Sequence, residues 1–576
     1  MWRKMKPTKS AALSQREAYD NSAAYGCRQN LRLWVVSVVF ALLYAASLVL
    51  GWNLTRYGAC QMGAVRTWFT IGLLAAIVSV VSYFLLRLVS SHRFHLLQSC
   101  SQRDMQYPVL TTWLVLCLAW LPVVIARWPG DFSFDAMWQT AWILPESAGV
   151  PEYWAEINGW HPPLHSLWLG GSVALGKSLF HSYSVGLALY TVSQMLIFSW
   201  CVARVVAYAY ETKHVVLYVV SLAFAALFSG FSVYVTMTTK DVVFSGILVL
   251  SSLWVYRTVR ENHLPRPSWL WMVQGSTLFL FAMLMRNNAL HAYLVFAVIA
   301  LIAHMAHRFD ARLVFTALVP AIAIALLITG PFYCLLGIEP GPSKEMMSVP
   351  AVQLSSVMVD HASDLTEDDR AYIELLIPDW AKYDHDILAD QTKQRFNTDL
   401  VKDDPIRFMR VYLSLALRYP GDFFNAWALL SAGYWSQSTT YFDESAAVTW
   451  PLMCPYDAVR AEIEPFLSIP FEIPVPELSK ALDSFLMSHV EAKIPVVNLL
   501  YKASTWFWIA IAFVFVSIAF RVPMGRVMPV VILLGYCLTL LLGPGSLYRY
   551  ASPLFVSIPL LLVMFCDVIA EARQMY

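Results

Sequence analysis

The sequence predicts an all-α polytopic membrane protein. Of its 576 residues, 58% are hydrophobic and only 14% are charged, a composition that excludes an array of soluble domains. Apolar runs of about 17 to 25 residues recur along the chain, and a helix of that length crosses the hydrocarbon core of a bilayer. One acidic stretch, residues 337–502, interrupts these runs. We therefore expect about twelve spans, additional interfacial helices, and a soluble, mainly helical insertion on the outer face.

The candidate spans set the predicted domain boundaries. Apolar windows lie at residues 31–50, 68–89, 109–125, 183–205, 215–235, 242–255, 269–285, 290–305, 313–335, 504–520, 528–542 and 551–570. They divide the chain into a basic leader (1–30), an amino-terminal transmembrane hairpin (31–107), a transmembrane core (108–336) with a long outer loop at 128–182, the insertion (337–502), and carboxyl-terminal transmembrane helices (503–576).

The distribution of Lys and Arg predicts the orientation in the membrane. If the basic amino terminus is cytoplasmic, most of the other basic loops also fall on the cytoplasmic side. The moderately apolar segment 164–180 is the exception, because counting it as a span would move the later basic loops outside. We therefore interpret it as a helix at the outer interface. The prediction is a multi-pass protein of the cell membrane with its active face extracytoplasmic.

The insertion has the composition of a soluble domain. Residues 337–502 contain 25 of the 39 acidic residues of the chain and 13 Lys and Arg. Thr366, followed by three acidic residues, predicts a helix N-cap with acids in the first turn. The run from Pro405 to Leu417 predicts an amphipathic helix. The acidity of the insertion disfavours an anionic polymer as the acceptor that it recognises, and no nucleic-acid partner is expected.

The outer loop after the third predicted span contains two carboxylates, Asp131 and Asp135. If this stretch is helical, residues four apart share a face. If it is a loop that ends in an N-cap, Ser133 is the cap and Asp135 lies in the first turn. Further along the same loop, His161 and His165 flank a double proline that holds the chain extended as it approaches the next helix.

Three further outer turns each contain a cation. A single cation at an interface usually extends its charged end to water, but three on a face that is otherwise poor in cations indicate an anion site. Cations of this kind can stabilise a phosphate leaving group, while a nearby carboxylate takes a proton from an attacking hydroxyl. The polar residues of the three turns are Lys240 and Asp241, Arg286 and Asn287, and Tyr548 and Arg549.

As an ordered set, the motifs P-G-x-x-S-x-D, H-P-P-L-H, K-D, R-N-N and R-Y resemble those of a bacterial multipass family assigned to the GT-C superfamily of membrane glycosyltransferases. The resemblance covers the chain from about residue 109 to the carboxyl end. It implies a GT-C-like transmembrane bundle, a polyprenyl-phosphate sugar as donor, and a glycan or protein as acceptor. Two extra spans precede the first motif, and we interpret them as an added hairpin.

The resemblance also implies roles for individual residues. Transfer would invert the anomeric centre, with Asp135 as general base and Asp131 as the substitute candidate. The cations would contact the lipid phosphate, and the histidines would shape the acceptor site or the lipid-phosphate site. Some relatives use a divalent metal, but no cluster in the sequence has the ligand count of a metal site, so the cofactor stays open. The predicted substrate-binding residues are His161, His165, Lys240, Asp241, Arg286, Asn287, Tyr548 and Arg549.

Two other functions stay open from the sequence. A polymerase or ligase of surface polysaccharide would also act on the outer face, but with a pyrophosphate-linked donor. A transporter or flippase of lipid-linked sugars should have ionisable residues or broken helices near mid-span, and repeated halves. The sequence shows neither clearly. Proximity of Asp135, Lys240 and Arg549 in the fold would favour the enzyme, whereas wide separation would favour the alternatives.

Overall fold

The protein is built from helices. The structure, a computed structural model, describes residues 9–90, 105–144, 157–260, 268–383, 385–439, 474–488 and 490–575. In these ranges the chain forms helices, and its only β pairings are isolated bridges. Seven of these helices are long and apolar enough to cross a membrane, and two bent helix pairs raise the number to nine. The prediction of an all-α multi-pass membrane protein is confirmed.

Every predicted window overlaps an apolar helix of the structure. The seven long helices are Gln29–Tyr57, Val65–Val89, Pro108–Ala126, Tyr183–Glu211, Asp241–Arg260, Asn288–Met305 and Arg312–Leu335. The bent pairs are Val215–Leu227 with Ser229–Thr236, at 57°, and Tyr548–Val556 with Ile558–Arg573, at 43°. Three shorter apolar helices are Trp269–Met285, Ala503–Ala519 and Met524–Leu540.

In chain order the helices are α1 (Lys9–Tyr57), α2 (Val65–Ser90), α3 (Pro108–Ala126), α4 (Phe134–Ala141), α5 (Pro163–Phe180), α6 (Tyr183–Glu211), α7 (Val215–Leu227), α8 (Ser229–Ser232), α9 (Asp241–Arg260), α10 (Trp269–Met285), α11 (Asn288–Met305), α12 (Arg312–Leu327), α13 (Tyr333–Leu335), α14 (Ser348–His361), α15 (Glu367–Leu376), α16 (Asp390–Gln394), α17 (Thr398–Asp403), α18 (Pro405–Arg418), α19 (Pro420–Trp435), α20 (Pro476–Met487), α21 (Val490–Lys493), α22 (Pro495–Leu500), α23 (Ala503–Ala519), α24 (Met524–Leu540), α25 (Ser552–Val556) and α26 (Ile558–Met575). Short 3₁₀ helices include Tyr234–Thr236, Ser343–Met347 and Tyr548–Ala551.

Helices α3 and α5 pack against different parts of α6. The amide of Met105, three residues before α3, donates to the Tyr210 hydroxyl at 2.8 Å, which places the start of α3 beside the carboxyl end of α6. Along α5, Trp168 Nε1 donates to Ser193 Oγ at 3.1 Å, which places α5 beside the earlier part. Helix α5 therefore packs along the amino-terminal half of α6.

A tight helical hairpin joins α5 to α6. A Cβ at Gly176 would lie 2.2 Å from the backbone nitrogen of Gly186, so the two backbones approach too closely for any side chain. Ser182 caps α6 by accepting from the Val185 amide at 3.3 Å. The hairpin holds the amino-terminal end of α5, which begins two residues after His161, at a fixed height along α6.

The amino-terminal hairpin packs on the carboxyl-terminal half of the chain. The ring of Tyr44 in α1 meets Trp508 of α23 edge to face, at 5.0 Å between centroids. Phe40 contacts Phe515 in the same way at 5.4 Å. These contacts tie the first span to a helix that follows the insertion.

The insertion has a hydrophobic core of its own. Helices α14, α15, α18 and α19 bury residues such as Leu354, Ile373 and Leu415 together. Thr366 caps α15 by accepting from the Asp369 amide at 3.2 Å, and α18 begins at Pro405, so both predictions are confirmed. The second half of α19 leaves this core and packs against α1. The insertion is therefore docked on the membrane helices.

Candidate functional site

The loop after α3 is fixed by backbone pairing with the loop before α9. The Asp131 amide donates to the Thr236 carbonyl at 2.9 Å, and the Thr238 amide donates to the Asp131 carbonyl at 3.0 Å. Ser133 Oγ then donates to the Thr238 carbonyl at 2.9 Å. This pairing brings the start of α4 next to Lys240, although the two loops are more than one hundred residues apart in sequence.

Ser133 is the N-cap of α4 and aims Asp135 into the site. Its side chain accepts from the Ala136 amide at 3.3 Å, and Asp135 lies in the first turn. Of the two geometries that the sequence left open, the structure has the loop that ends in an N-cap. Asp131 and Asp135 therefore do not share a helix face.

Arg549 and three other charged side chains form one cluster. Arg549 Nη2 lies 3.3 Å from Asp135 Oδ2, and its Nε lies 3.9 Å from Asp241 Oδ2. Asp241 in turn pairs with Arg286. Asp241 and Arg286 are buried, whereas the side chains of Asp135 and Arg549 are 25% and 14% exposed. The part of the cluster that a ligand can reach is therefore the Asp135–Arg549 pair.

Tyr550 contacts both arginines of the cluster. The Arg286 guanidinium carbon is 4.4 Å from the centre of the Tyr550 ring, and that of Arg549 is 5.0 Å away. Arg549 also donates to the Tyr550 hydroxyl at 3.3 Å. An aromatic ring in contact with both cations helps to hold the two guanidinium groups in place. The sequence analysis did not select Tyr550, although it follows Arg549 directly.

Lys240 brings a third cation to the cluster. Its Nζ lies 3.0 Å from His161 Nδ1, and Asp135 and Arg549 both act on its charge. Burial lowers the pKa of Lys240 to about 8, in spite of the opposing attraction of Asp135. Burial, followed by Lys240 itself, lowers the pKa of His161 to about 3. At neutral pH, Lys240 is therefore an ammonium group that donates to a neutral imidazole.

Asp135 is held in its ionised form. Burial alone would raise its pKa, but the charge of Arg549 and the further cations of the cluster outweigh burial, and the pKa of Asp135 lies below its usual range. A carboxylate with so low a pKa is a weak base. While Arg549 stays paired with it, Asp135 therefore has little affinity for a proton.

His165 is held by protein groups on both sides. Its Nδ1 contacts Gln139 Oε1 at 2.5 Å, and its Nε2 contacts the Tyr190 hydroxyl at 2.7 Å. Tyr190 continues to Gln194, whose amide reaches two backbone carbonyls of the loop before α9. Burial lowers the pKa of His165 to about 3. The two ring nitrogens that could bind a ligand are thus already occupied, and His165 positions α4 and α5 relative to α6.

Asp131 belongs to a different cluster from Asp135. Arg127 Nη1 lies 3.5 Å from Asp131 Oδ1, and Arg127 Nη2 lies 2.6 Å from Asp483 Oδ1 in α20. Thr236 donates to the other oxygen of Asp131 at 2.7 Å. Burial raises the pKa of Asp131, and Arg127 and Thr236 only partly oppose that rise. Asp131 joins the end of α3 to the last part of the insertion and does not contact Arg549.

Two other predicted residues lie outside the charge cluster. Asn287 is exposed, and its Nδ2 donates to the Gly159 carbonyl at 3.1 Å, so it holds the loop that precedes His161. Tyr548 is buried, stacks on Phe555 and donates to the Leu500 carbonyl at 3.1 Å. Both residues support the loops around the cluster.

The described residues do not fit a metal ion. In the described part of the chain, no three His, Cys, Asp or Glu side chains come together as a set that could hold one. The carboxylates of the site, Asp135 and Asp241, are each paired with an arginine. The arginines therefore occupy carboxylate oxygens that a metal ion would need as ligands.

A large apolar groove lies away from the charge cluster. A groove of about 850 Å³ runs between α11, α23 and α24, and most of its lining is apolar. It reaches Arg308 beyond the carboxyl end of α11, whereas Arg286 lies next to the amino end of the same helix. The cluster is identified by its charges and not by the size of the space beside it.

Comparisons with known proteins give a family and no function. No curated protein and no solved structure matches the chain. A model of a family of unknown function, DUF6020, matches residues 20–378. The match includes Asp135, Lys240 and Arg286, but it ends before Arg549. Because it covers more than half of the sequence, the chain belongs to the DUF6020 family.

Proposed function

We propose that the protein is a GT-C-like membrane glycosyltransferase of the cell membrane. It transfers a sugar from a polyprenyl-phosphate donor to a glycan or protein acceptor on the extracytoplasmic face. The observation that carries this proposal is the contact between Asp135 and Arg549, a partly accessible carboxylate next to a cation that shares its cluster with Lys240 and Arg286. A proton acceptor and a phosphate-binding group are thus side by side.

The proposed reaction is a single inverting displacement. The acceptor hydroxyl oxygen forms a bond to the anomeric carbon, and its proton moves to Asp135. The bond between the anomeric carbon and the phosphate oxygen breaks, and the polyprenyl phosphate leaves with the electron pair. Arg549, Arg286 and Lys240 stabilise the charge that develops on the departing phosphate.

Donor binding also activates the base in this mechanism. In the free protein, Arg549 pairs with Asp135 and weakens it as a base. The phosphate of the donor competes for the same guanidinium group. When Arg549 turns to the phosphate, Asp135 loses its strongest opposing cation, and burial then raises its pKa towards a useful range. The carboxylate is thus released only when there is a donor to react with.

The balance of charge favours a donor with one phosphate. At neutral pH the cluster contains three cations, Lys240, Arg286 and Arg549, and two carboxylates, Asp135 and Asp241. The nearby Glu345 is balanced by its own partner, Lys393. The net charge of the cluster, about +1, matches the single negative charge of a phosphodiester. A pyrophosphate-linked donor, which the polymerase or ligase alternative requires, carries more negative charge than this cluster neutralises.

The positions of the charges favour an enzyme over a transporter. The broken spans, with bends of 57° and 43°, are a feature that transporters share. However, Asp241 begins α9, Arg286 follows the end of α10, and Arg549 precedes α25. The ionised groups therefore gather at helix ends rather than at mid-span. The proposal counts the seven long helices, two bent pairs and three short helices as twelve spans, with the amino terminus cytoplasmic.

A transfer assay tests the proposal. Membranes that contain the protein are given a panel of polyprenyl phosphates, each with a different radiolabelled sugar, and label in the acceptor fraction is measured. We expect transfer from at least one donor, and Asp135→Asn should abolish it without loss of protein. Asp131→Asn is the matched control and should retain transfer, because Asp131 pairs with Arg127. Undiminished transfer by Asp135→Asn would remove Asp135 as the base, and no transfer from any donor would refute the function.

A further inference from the structure

The insertion reaches into the charge cluster through its first segment. The Gly159 amide donates to the Glu339 carbonyl at 2.7 Å. A Cβ at Gly341 would lie 3.0 Å from the Trp160 nitrogen, so residues 339–341 lie directly on the loop that leads to His161. Four residues later, Glu345 is close enough to Lys240 to act on its charge. The backbone contact of residues 339–341 and this effect on Lys240 together place Glu345 near the loop that leads to His161.

Glu345 has one occupied oxygen and one free oxygen. Its Oε2 accepts from Lys393 Nζ at 2.7 Å, and Lys393 also contacts Asp390 at 2.7 Å. Its Oε1 is buried and has no hydrogen-bond partner among the described residues. A buried carboxylate oxygen without a partner is costly, since it has lost water and gained nothing in return. The free oxygen is a hydrogen-bond acceptor in need of a donor.

His161 has the opposite deficit. An ammonium group has only donors, so Lys240 donates to Nδ1 and the proton of the neutral imidazole lies on Nε2. His161 is 2% exposed, and its Nε2 has no partner in the described part of the chain. The Trp160 ring stacks on the imidazole at 4.7 Å and limits its rotation. His161 thus offers a fixed, unused donor.

We propose that Glu345 and His161 form a subsite beside Lys240 that recognises a hydroxyl group of the donor sugar. A hydroxyl is both a donor and an acceptor, so it can donate to Glu345 Oε1 and accept from His161 Nε2. The phosphate binds to the cations, and the sugar attached to that phosphate lies next to them. The inference rests on the proposed function, and it makes the insertion part of the donor site.

The isosteric variant Glu345→Gln separates recognition from support. In this variant Lys393 attracts the carbonyl oxygen of the amide, which leaves the amide nitrogen where Oε1 was. A donor then replaces the acceptor that the hydroxyl needs. If Glu345 only supported Lys393, Glu345→Gln would behave like the wild type. Asp390→Asn is the matched control, because it changes the other carboxylate partner of Lys393 and leaves Glu345 intact.

The experiment compares two kinds of lipid on the purified full-length protein. Calorimetric titrations use farnesyl phosphate and a panel of farnesyl phosphates that carry single hexoses. The wild type should bind at least one sugar lipid about tenfold more tightly than farnesyl phosphate, and Glu345→Gln and Glu345→Ala should lose that preference. Asp390→Asn should keep it, and the Glu345 variants should bind farnesyl phosphate at least as tightly as the wild type, because they lose a negative charge that acts on Lys240.

The outcomes that overturn the subsite differ from those that overturn the function. A wild type that binds farnesyl phosphate but prefers no sugar lipid would contradict the subsite alone. So would a Glu345→Gln variant that keeps the preference, or one that loses affinity for farnesyl phosphate to the same extent. A wild type that binds no lipid of either kind would overturn the proposed function, and the subsite with it.

Discussion

Asp135→Asn should bind a lipid phosphate more tightly than the wild type while it loses the ability to transfer sugar. In the free protein Arg549 has two carboxylates within 4 Å, Asp135 at 3.3 Å and Asp241 at 3.9 Å. The substitution removes the negative charge of the nearer one and leaves its shape. A phosphate then competes with one carboxylate instead of two, and it no longer meets the repulsion of Asp135.

The size of this effect follows from the geometry. Two unit charges about 4 Å apart attract by about 4 kcal/mol at an effective dielectric constant of about 20. Because Asp135 and Arg549 are 25% and 14% exposed, solvent screening reduces the net value to about 1 to 2 kcal/mol. That range corresponds to roughly five- to thirtyfold tighter binding. A residue that served only to bind the donor would show weaker binding when it is changed.

Titration of the purified protein with farnesyl phosphate measures the affinity, and the membrane transfer assay measures the activity. Asp131→Asn should leave the affinity unchanged, because Asp131 pairs with Arg127 and not with Arg549. Equal or weaker binding by Asp135→Asn would refute the competition between Asp135 and the phosphate. The mechanism in which the donor releases the base would then have to be abandoned.

Three further predictions follow from the same contacts. Because the pKa of Lys240 is about 8, its ammonium is present below pH 8 and is lost as the pH rises through that value, so the affinity for farnesyl phosphate should fall roughly tenfold from pH 7 to pH 9. Lys240→Arg should abolish this fall, and an equally steep fall in that variant would show that Lys240 is not its cause. Tyr550→Leu should weaken the binding of farnesyl phosphate by roughly three- to tenfold, because the ring that contacts both guanidinium groups is lost. Tyr550→Phe keeps the ring and should weaken this binding less, and wild-type affinity of the Leu variant would show that the ring is not needed. Arg127→Leu removes the buried cation that pairs with Asp131 and Asp483, and it should lower the free energy of unfolding by about 3 to 5 kcal/mol. The loss should appear as a lower unfolding temperature in detergent, and an unchanged temperature would show that these ion pairs contribute little to stability.

The elements that depend on local patterns were predictable from the sequence. Each predicted apolar window overlaps an apolar helix of the structure, since lipid forces the backbone of a span to satisfy its own hydrogen bonds within a helix. Side chains that cap helix ends were equally visible, as at Ser133 and Thr366. The motifs also selected Asp135, Lys240 and Arg549, which the structure places in one cluster.

The partners of these residues were not predictable, because they depend on long-range packing. Arg127 resembled a cation at the end of a span, and nothing local shows that Asp483 comes to meet it. In the sequence Tyr550 is one aromatic residue among many near the membrane interface, and only the fold shows that its ring contacts two arginines. Glu345 was one acid among many in an acidic insertion, and only its unused oxygen near Lys240 separates it from the others.

The pair of Asp135 and Arg549 has a consequence for how the protein is made. The two residues are 414 positions apart, so at about 5 to 20 residues per second a ribosome produces Arg549 roughly 20 to 80 seconds after Asp135. Throughout that interval the nascent chain carries the acid without its arginine. Translation that stops before residue 549 leaves the acid without this arginine, so only a chain that includes the last helices can form the pair.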